Sequence, residues 1–146
     1  MVCREIVRRW RGHAGRVNIY GDATGGARKS ASDSGTDWAI VNEMLGAAFG
    51  NRLRVCYRRS NPAERVRVNA VNARMRTVGG VIRVVIDSKA CPNLCEDLMS
   101  VTVKPGTGEL DKTVDPENML THISDAFGYF VAERFPLGGV GSVHQI

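Results

Sequence analysis

Three acids carry most of the chemical interest of this chain: Asp22 in YGDATGG, Glu64 in NPAERV and Asp125 in THISDAFGYF. A phosphodiester is hydrolysed efficiently when two divalent cations, ~3.5–4 Å apart, hold the attacking and leaving oxygens. Such hard ions take oxygen ligands, so a protein has to supply several carboxylates at one point. Grouped carboxylates repel and raise one another's pKa unless a cation neutralises them. Acids embedded in a basic stretch are therefore informative. Residues 1–80 hold 15 Lys and Arg against 6 Asp and Glu, a balance of +9; residues 81–146 hold 5 against 9, a balance of −4. Asp22 and Glu64 lie in the first part, where 14 of the 15 basic residues are arginine, the side chain suited to bidentate phosphate contacts. A basic surface also favours nucleic acid through counterion release.

The third acid sits in a helical pattern. His122, Asp125 and Tyr129 are spaced i, i+3, i+7 and share one helix face, while Ile123, Phe127 and Phe130 point elsewhere. A carboxylate in an apolar helix costs stability unless it has a partner. A metal ion is one such partner; an arginine such as Arg65, or simple exposure, is the alternative. Arg28 and Lys29 beside Asp22, and Arg58, Arg59 and Arg65 near Glu64, are candidates to hold a DNA backbone without reading its sequence, or else are solvated surface charges. Asp87 either joins the acidic cluster or caps the following helix, and the cap is the preferred reading. The GDATGG turn alone is a weak phosphate-loop signal. The chain has no GxGxxG and no GxxxxGK[ST], so no ATPase activity is expected.

These residues need elements to position them. Residues 1–12 read as a short basic helix or arm. RVNIYGD (16–22) alternates as a strand with Val17 and Ile19 on one face. Thr24 to Gly35, rich in Gly, Ser and Ala, is expected as a mobile loop or a loose hairpin. Thr36 or Asp37 caps a helix bearing Trp38, Ile40, Val41, Met44, Leu45 and Ala48, with Gly50 just past its end. Arg52 to Tyr57 is a second strand. Ser60-Asn61-Pro62 opens a helix running to about Thr77 with Val68, Val71 and Met75 on one side, and Gly79-Gly80 ends it. Val81 to Ile86, almost wholly β-branched, predicts a third strand covered on both faces. A helix follows from Cys91 to Val101, with Cys91 and Leu94 facing the core. Val101 to Lys112 predicts a hairpin turning at Pro105-Gly106-Thr107-Gly108, and Asp115 caps a last helix from about Pro116 to Arg134. The glycine-rich tail 137–146 is expected to be disordered.

Helical connections between strands imply a largely parallel sheet with helices on its faces, and ligand sites in such sheets lie beyond the carboxyl ends of the strands. Asp22 ends the first strand and Glu64 opens the helix after the second, so both are expected at one rim. The length of 146 residues suits one domain, 1–136. No apolar run approaches the ~20 residues of a bilayer span. The arginine-rich start, without an apolar stretch, predicts no secretory signal. A cytoplasmic protein with no membrane partner is the expectation. Of the four cysteines, Cys91 and Cys95 are four apart with no second Cys or His pair nearby to complete a zinc site. Reduced thiols are expected.

Taken together, YGDATGGARKSASDSGTDWAIV (20–41), RSNPAERVRVNAVNARM (59–75) and ELDKTVDPENMLTHISDAFGYFV (109–131) resemble the C-terminal nuclease domain of tailed-bacteriophage terminase large subunits. The resemblance covers roughly residues 16–136, in order. It implies an α/β, ribonuclease H-like fold, with a mixed central sheet and helices on both faces. It also implies an endonuclease that uses two Mg²⁺ or Mn²⁺ ions and cuts concatemeric viral DNA during genome packaging. The family's three metal-binding acids carry over onto Asp22, which would bridge both ions, and onto Glu64 and Asp125, each holding one. His122 falls at a supporting position, as a hydrogen-bond partner or proton carrier. Relatives often have Asp where this chain has Glu64, which reaches one methylene further and remains an oxygen ligand. The implied partners are double-stranded DNA, the packaging ATPase, the terminase small subunit and the portal, in the bacterial host cytoplasm. The ATPase that normally precedes this domain is missing, so an excised domain, a split gene or a prophage remnant is expected. Two other readings stay open: a remnant that binds DNA or the motor without cutting, and a nuclease for hybrid or junction substrates on the same fold.

Overall fold

The computed structural model describes residues 2–27, 35–107, 109–111 and 121–137. Arg28, Lys29, the helix start expected at Asp115 and the tail from 138 lie outside them. Among the described residues the fold is mixed α/β, with five α-helices and a two-stranded parallel sheet. The chain divides into two compact units, Met1–Asn61 and Pro62–Ile146.

In the first unit, helix α1 (Val2–Trp10) is the expected basic N-terminal helix. Its Glu5 carboxylate meets both Arg8 and Arg9 at 2.6 Å. Those two guanidinium groups hold the Glu5 carboxyl at about 2, below its ordinary 4.5. Strand β1 (Val17–Ile19) pairs in parallel with β2 (Leu53–Val55), in the register Val17 to Leu53. The helical connection between them is α2 (Asp37–Phe49). Thr36 caps it, its Oγ1 accepting the Ala39 N–H at 3.2 Å, and Gly50 leaves it at φ +55, a left-handed conformation that glycine adopts freely. Val17, Ile19 and Leu53 pack with Ile6 and Val7 of α1 and Val41 and Met44 of α2 around buried Cys3, Leu45 and Phe49.

In the second unit, α3 (Glu64–Met75) packs on α5 (His122–Arg134), and α4 (Pro92–Ser100) packs on α5 as well. The core between them is Ala70, Val71, Val131 and Ala132, with Met75, Leu98, Phe127, Phe130 and Phe135 packed against it. The expected hairpin is present as a single antiparallel bridge, Val103 to Leu110, with Gly106 at φ +80 in the turn. All four cysteines are free thiols.

Several expectations are corrected. Val81–Ile86 is not a strand among the described residues. The segment folds back on the end of α3, where the Arg83 and Val84 N–H groups both donate to the Arg74 carbonyl, and Val81, Ile82 and Val85 stand exposed. Neither Ser60 nor Asn61 caps α3: its N-cap is Ala63, without a side-chain bond, because Asn61 is engaged elsewhere. Cys91 is exposed rather than core-facing; the residue that α4 buries is Asp97, at 3% exposure. Helix α5 is described from His122, and Thr121 ahead of it sits at φ 80, outside the right-handed helical region.

Candidate functional site

Asp22 follows β1 at its carboxyl end and caps a 3₁₀ turn, Ala23–Gly26. Its Oδ1 accepts the Thr24 N–H at 2.7 Å and the Asn61 Nδ2–H at 2.7 Å. The Asn61 amide also accepts the Ala23 N–H through its Oδ1, at 2.8 Å. Asn61 therefore clamps both the carboxylate and the backbone that follows it, which fixes the Asp22 rotamer. Trp38 of α2 holds the same loop from the other side. Its Nε1–H donates to the Asp22 carbonyl at 2.7 Å, and its indole stacks on Tyr57 with centroids 3.9 Å apart and planes at 9°. The Tyr57 hydroxyl in turn accepts the Asn42 side-chain amide at 3.0 Å.

That indole explains the glycines of YGDATGG. A Cβ at Gly21 would lie 2.7 Å from the indole ring, and one at Gly25 would lie 2.7 Å from Trp38 Nε1. The glycines make room for an aromatic ring, so the loop needs no phosphate to account for its composition. Arg58 and Arg59, which leave β2 toward Asn61, are exposed.

In the second unit Glu64 opens α3 as expected. Its Oε1 accepts the Leu110 N–H at 2.7 Å, which ties the short hairpin to the start of the helix. One turn further, Arg67 is 6% exposed. Its Nη1 donates to Asp125 Oδ1 at 2.6 Å, and its guanidinium carbon lies 4.4 Å from the centre of the Tyr129 ring. The expected shared face of Asp125 and Tyr129 is thus present, turned toward α3. Asp125 has an arginine partner, and that arginine is Arg67, not Arg65, which is exposed. His122, the first residue of α5, is exposed as well.

Asp97 was not legible as a special residue, and it organises the end of α5 that carries His122 and Asp125. Its Oδ1 accepts the Thr121 N–H at 2.9 Å, and its Oδ2 accepts the N–H groups of Ile123 at 3.1 Å and Ser124 at 2.9 Å. A helix N-terminus presents unpaired donors and a partial positive charge, and a buried carboxylate from a neighbouring helix answers both. A cavity of about 150 Å³ lies beside this cap, with Arg67, Asn72, Asp97, Ser124 and Asp125 supplying the polar part of its wall. Asp87 behaves as a cap, though for the turn ahead of α4: its Oδ1 accepts the Lys89 and Ala90 N–H groups at 2.8 and 3.2 Å.

The donor chemistry of Asp22, Glu64 and Asp125 suits a hard divalent ion, because all three offer carboxylate oxygen and each carboxylate is oriented by a donor of its own unit. Among the described residues of either unit, no three His, Cys, Asp or Glu side chains gather as a metal-holding group. No family model, no curated protein and no solved structure matches the chain.

Proposed function

We propose that the chain is a divalent-metal-dependent DNA endonuclease domain of the terminase large-subunit kind, built on a ribonuclease H-like fold. The observation that carries the reading is Asp22. It stands at the carboxyl end of a strand in a parallel pair, where α/β sheets bind ligands, and Asn61 and the Thr24 N–H fix its carboxylate. Neutral donors that orient a carboxylate are what a metal ligand needs from its surroundings. The arginine-rich first part of the sequence and the terminase-like motifs supply the substrate class, double-stranded DNA. The packaging ATPase, the small subunit and the portal are the corresponding partners, in the host cytoplasm.

In this mechanism Asp22, Glu64 and Asp125 are the residues that would hold Mg²⁺ or Mn²⁺. When bound, two such ions supply charge neutralisation and activation of water for in-line attack at phosphorus. The protein's own share is positioning. Asn61 holds the Asp22 rotamer, the Leu110 N–H holds Glu64, and Arg67 holds Asp125. His122, exposed at the start of α5, relays a proton at the solvent boundary. The exposed Arg58, Arg59 and Arg65, together with Arg28 and Lys29, grip phosphates, so cleavage shows little sequence preference.

The test is plasmid cleavage by Asp22→Asn in Mg²⁺ and Mn²⁺. Loss of a partner that merely orients a ligand costs 10–100-fold, so loss of the ligand itself is expected to slow cutting by more than about 100-fold. DNA binding is expected to persist, because removing a negative charge weakens no phosphate contact. Cutting at the parental rate would overturn the assignment. One observation favours a second reading, a module that binds DNA or the packaging motor without cutting it: the Asp125 carboxylate already has a cationic partner in Arg67. No cleavage in either metal, with DNA binding retained, would select it.

A further inference from the structure

We propose that α1 and the turn after it form a contact for single-stranded DNA, with Trp10 stacking on a base and Arg4, Arg11 and Arg16 engaging phosphates. The inference goes beyond the nuclease reading and does not depend on it, because it concerns the other rim of the parallel pair.

Residues 2–16 hold five arginines, Arg4, Arg8, Arg9, Arg11 and Arg16, against one acid, Glu5. All five are exposed. Glu5 accounts for Arg8 and Arg9, which meet it at 2.6 Å, and the negative end of the helix dipole favours both. It does not account for Arg4, Arg11 and Arg16, none of which has an ion pair among the described residues. Arg4 lies in the first turn of α1, where a cation opposes the dipole. Arg4, Arg8 and Arg11 are spaced i, i+4, i+7 and so form one row along the helix. An exposed row of guanidinium groups with excess positive charge is the complement of a phosphate chain.

Trp10 adds a second chemistry. It closes α1 at 57% exposure and meets the His13 ring edge to face, with centroids 6.5 Å apart. An exposed aromatic ring among arginines offers a stacking platform to an unpaired base, whose faces a duplex keeps covered. The fold also places this patch. The His13 N–H donates to the Trp10 carbonyl at 2.9 Å, and the His13 carbonyl accepts Arg52 Nη1–H. Arg16 and Arg52 immediately precede β1 and β2. The patch therefore lies where the parallel strands begin, whereas Asp22 lies where β1 ends. It is a holding contact, separate from the carboxylate.

A basic amphipathic helix also suits an anionic membrane, but that use requires a free apolar face. Here Cys3, Ile6 and Val7 pack into the core with α2 and the strands. Val2 and Trp10 are the large apolar residues that α1 leaves exposed. A second copy would bring two rows of like charge together.

The test is fluorescence anisotropy of a labelled oligothymidylate titrated with the full chain in EDTA, for the parent, Trp10→Ala and Arg4→Gln/Arg11→Gln. Trp10 is exposed and outside the core, so its variant is expected to keep the parental circular dichroism. Trp10→Ala is expected to weaken binding by about 5–150-fold, the worth of one stacked base, with the salt dependence unchanged. The double arginine variant is expected to lower the slope of log affinity against log salt by about 1.4, the share of two phosphate contacts on a single strand. Parental affinity in either variant, or a parent that does not bind the oligonucleotide, overturns the proposal. So does Trp10-dependent binding to phosphatidylglycerol-containing vesicles, or Trp10-dependent dimerisation in sedimentation, without binding to the oligonucleotide. None of these results touches the nuclease reading, which plasmid cleavage by Asp22→Asn decides separately.

Discussion

Replacing Asp97 by alanine removes one buried carboxylate and three hydrogen bonds, those from the N–H groups of Thr121, Ile123 and Ser124. An ordinary N-cap lost to alanine costs about 0.5–2 kcal/mol, with water taking over the freed donor. Here the cap is 3% exposed and Thr121 is 5% exposed, so water does not readily replace the bond to Thr121. An unsatisfied buried donor costs about 1–3 kcal/mol. Thr121 also sits at φ 80, a conformation a β-branched residue adopts only when its surroundings hold it there. Adding the buried donor to an ordinary cap loss gives about 1.5–5 kcal/mol. Asp97→Asn, which keeps acceptor capacity on one oxygen but turns an NH₂ toward other donors, is expected to lose about half as much. Urea denaturation followed by helical circular dichroism gives the magnitude. Amide exchange at Ile123 and Ser124 gives the location, since opening of the first turn of α5 has to speed both. A loss below about 1 kcal/mol, or unchanged exchange at those two amides, would refute the capping argument.

Other consequences are as direct. Gly25→Ala drives a Cβ to 2.7 Å from Trp38 Nε1, and the indole, pinned by Tyr57 and the Asp22 carbonyl, has little room to yield. A loss of about 1–3 kcal/mol is expected, with loss of the near-ultraviolet signal of the Trp38–Tyr57 stack. Gly46→Ala is the matched control, because a Cβ there meets nothing within 4 Å; inside α2 it is expected to stabilise by about 0.5–1 kcal/mol. The Glu5 carboxyl, held at about 2 against an ordinary 4.5 by Arg8 and Arg9, favours folded α1 when ionised. Its contribution is complete above the ordinary value and is lost as pH falls from there toward 2. Helix α1 amides are expected to exchange faster over that window in the parent and to show no such step in Glu5→Gln.

Short-range signals were the legible part of the fold. Thr36 capping α2, Gly50 leaving it at positive φ and the turn at Pro105-Gly106 each depend on neighbours within four residues, and each is found where the sequence put it. The parallel pairing of β1 and β2 followed from the helix between them. What failed depended on distant partners. Val81–Ile86 has a composition suited to a covered strand, but composition cannot say whether a partner strand is adjacent, and here Arg74 takes two of its N–H groups. Asn61 has the residue type and position of a helix cap; its Oδ1 is taken instead by the Ala23 N–H, 38 residues away, while its Nδ2 donates to Asp22. Asp97 is one acid among several in an amphipathic helix, and nothing local announces that it caps another helix 24 to 27 residues on. For Asp125, the need for a partner was readable from its apolar surroundings, while the choice of Arg67 over Arg65 depended on which face α3 turns to α5.

The claim that Asp22, Glu64 and Asp125 are metal ligands of a nuclease is tested most directly by a crystal of the full chain soaked in Mn²⁺ and measured at the manganese edge. The account predicts anomalous density for two cations ~3.5–4 Å apart, contacted by all three carboxylates. Three carboxyl groups more than about 10 Å apart with no cation between them would contradict it, since no pair of ions at two-metal spacing could then touch all three.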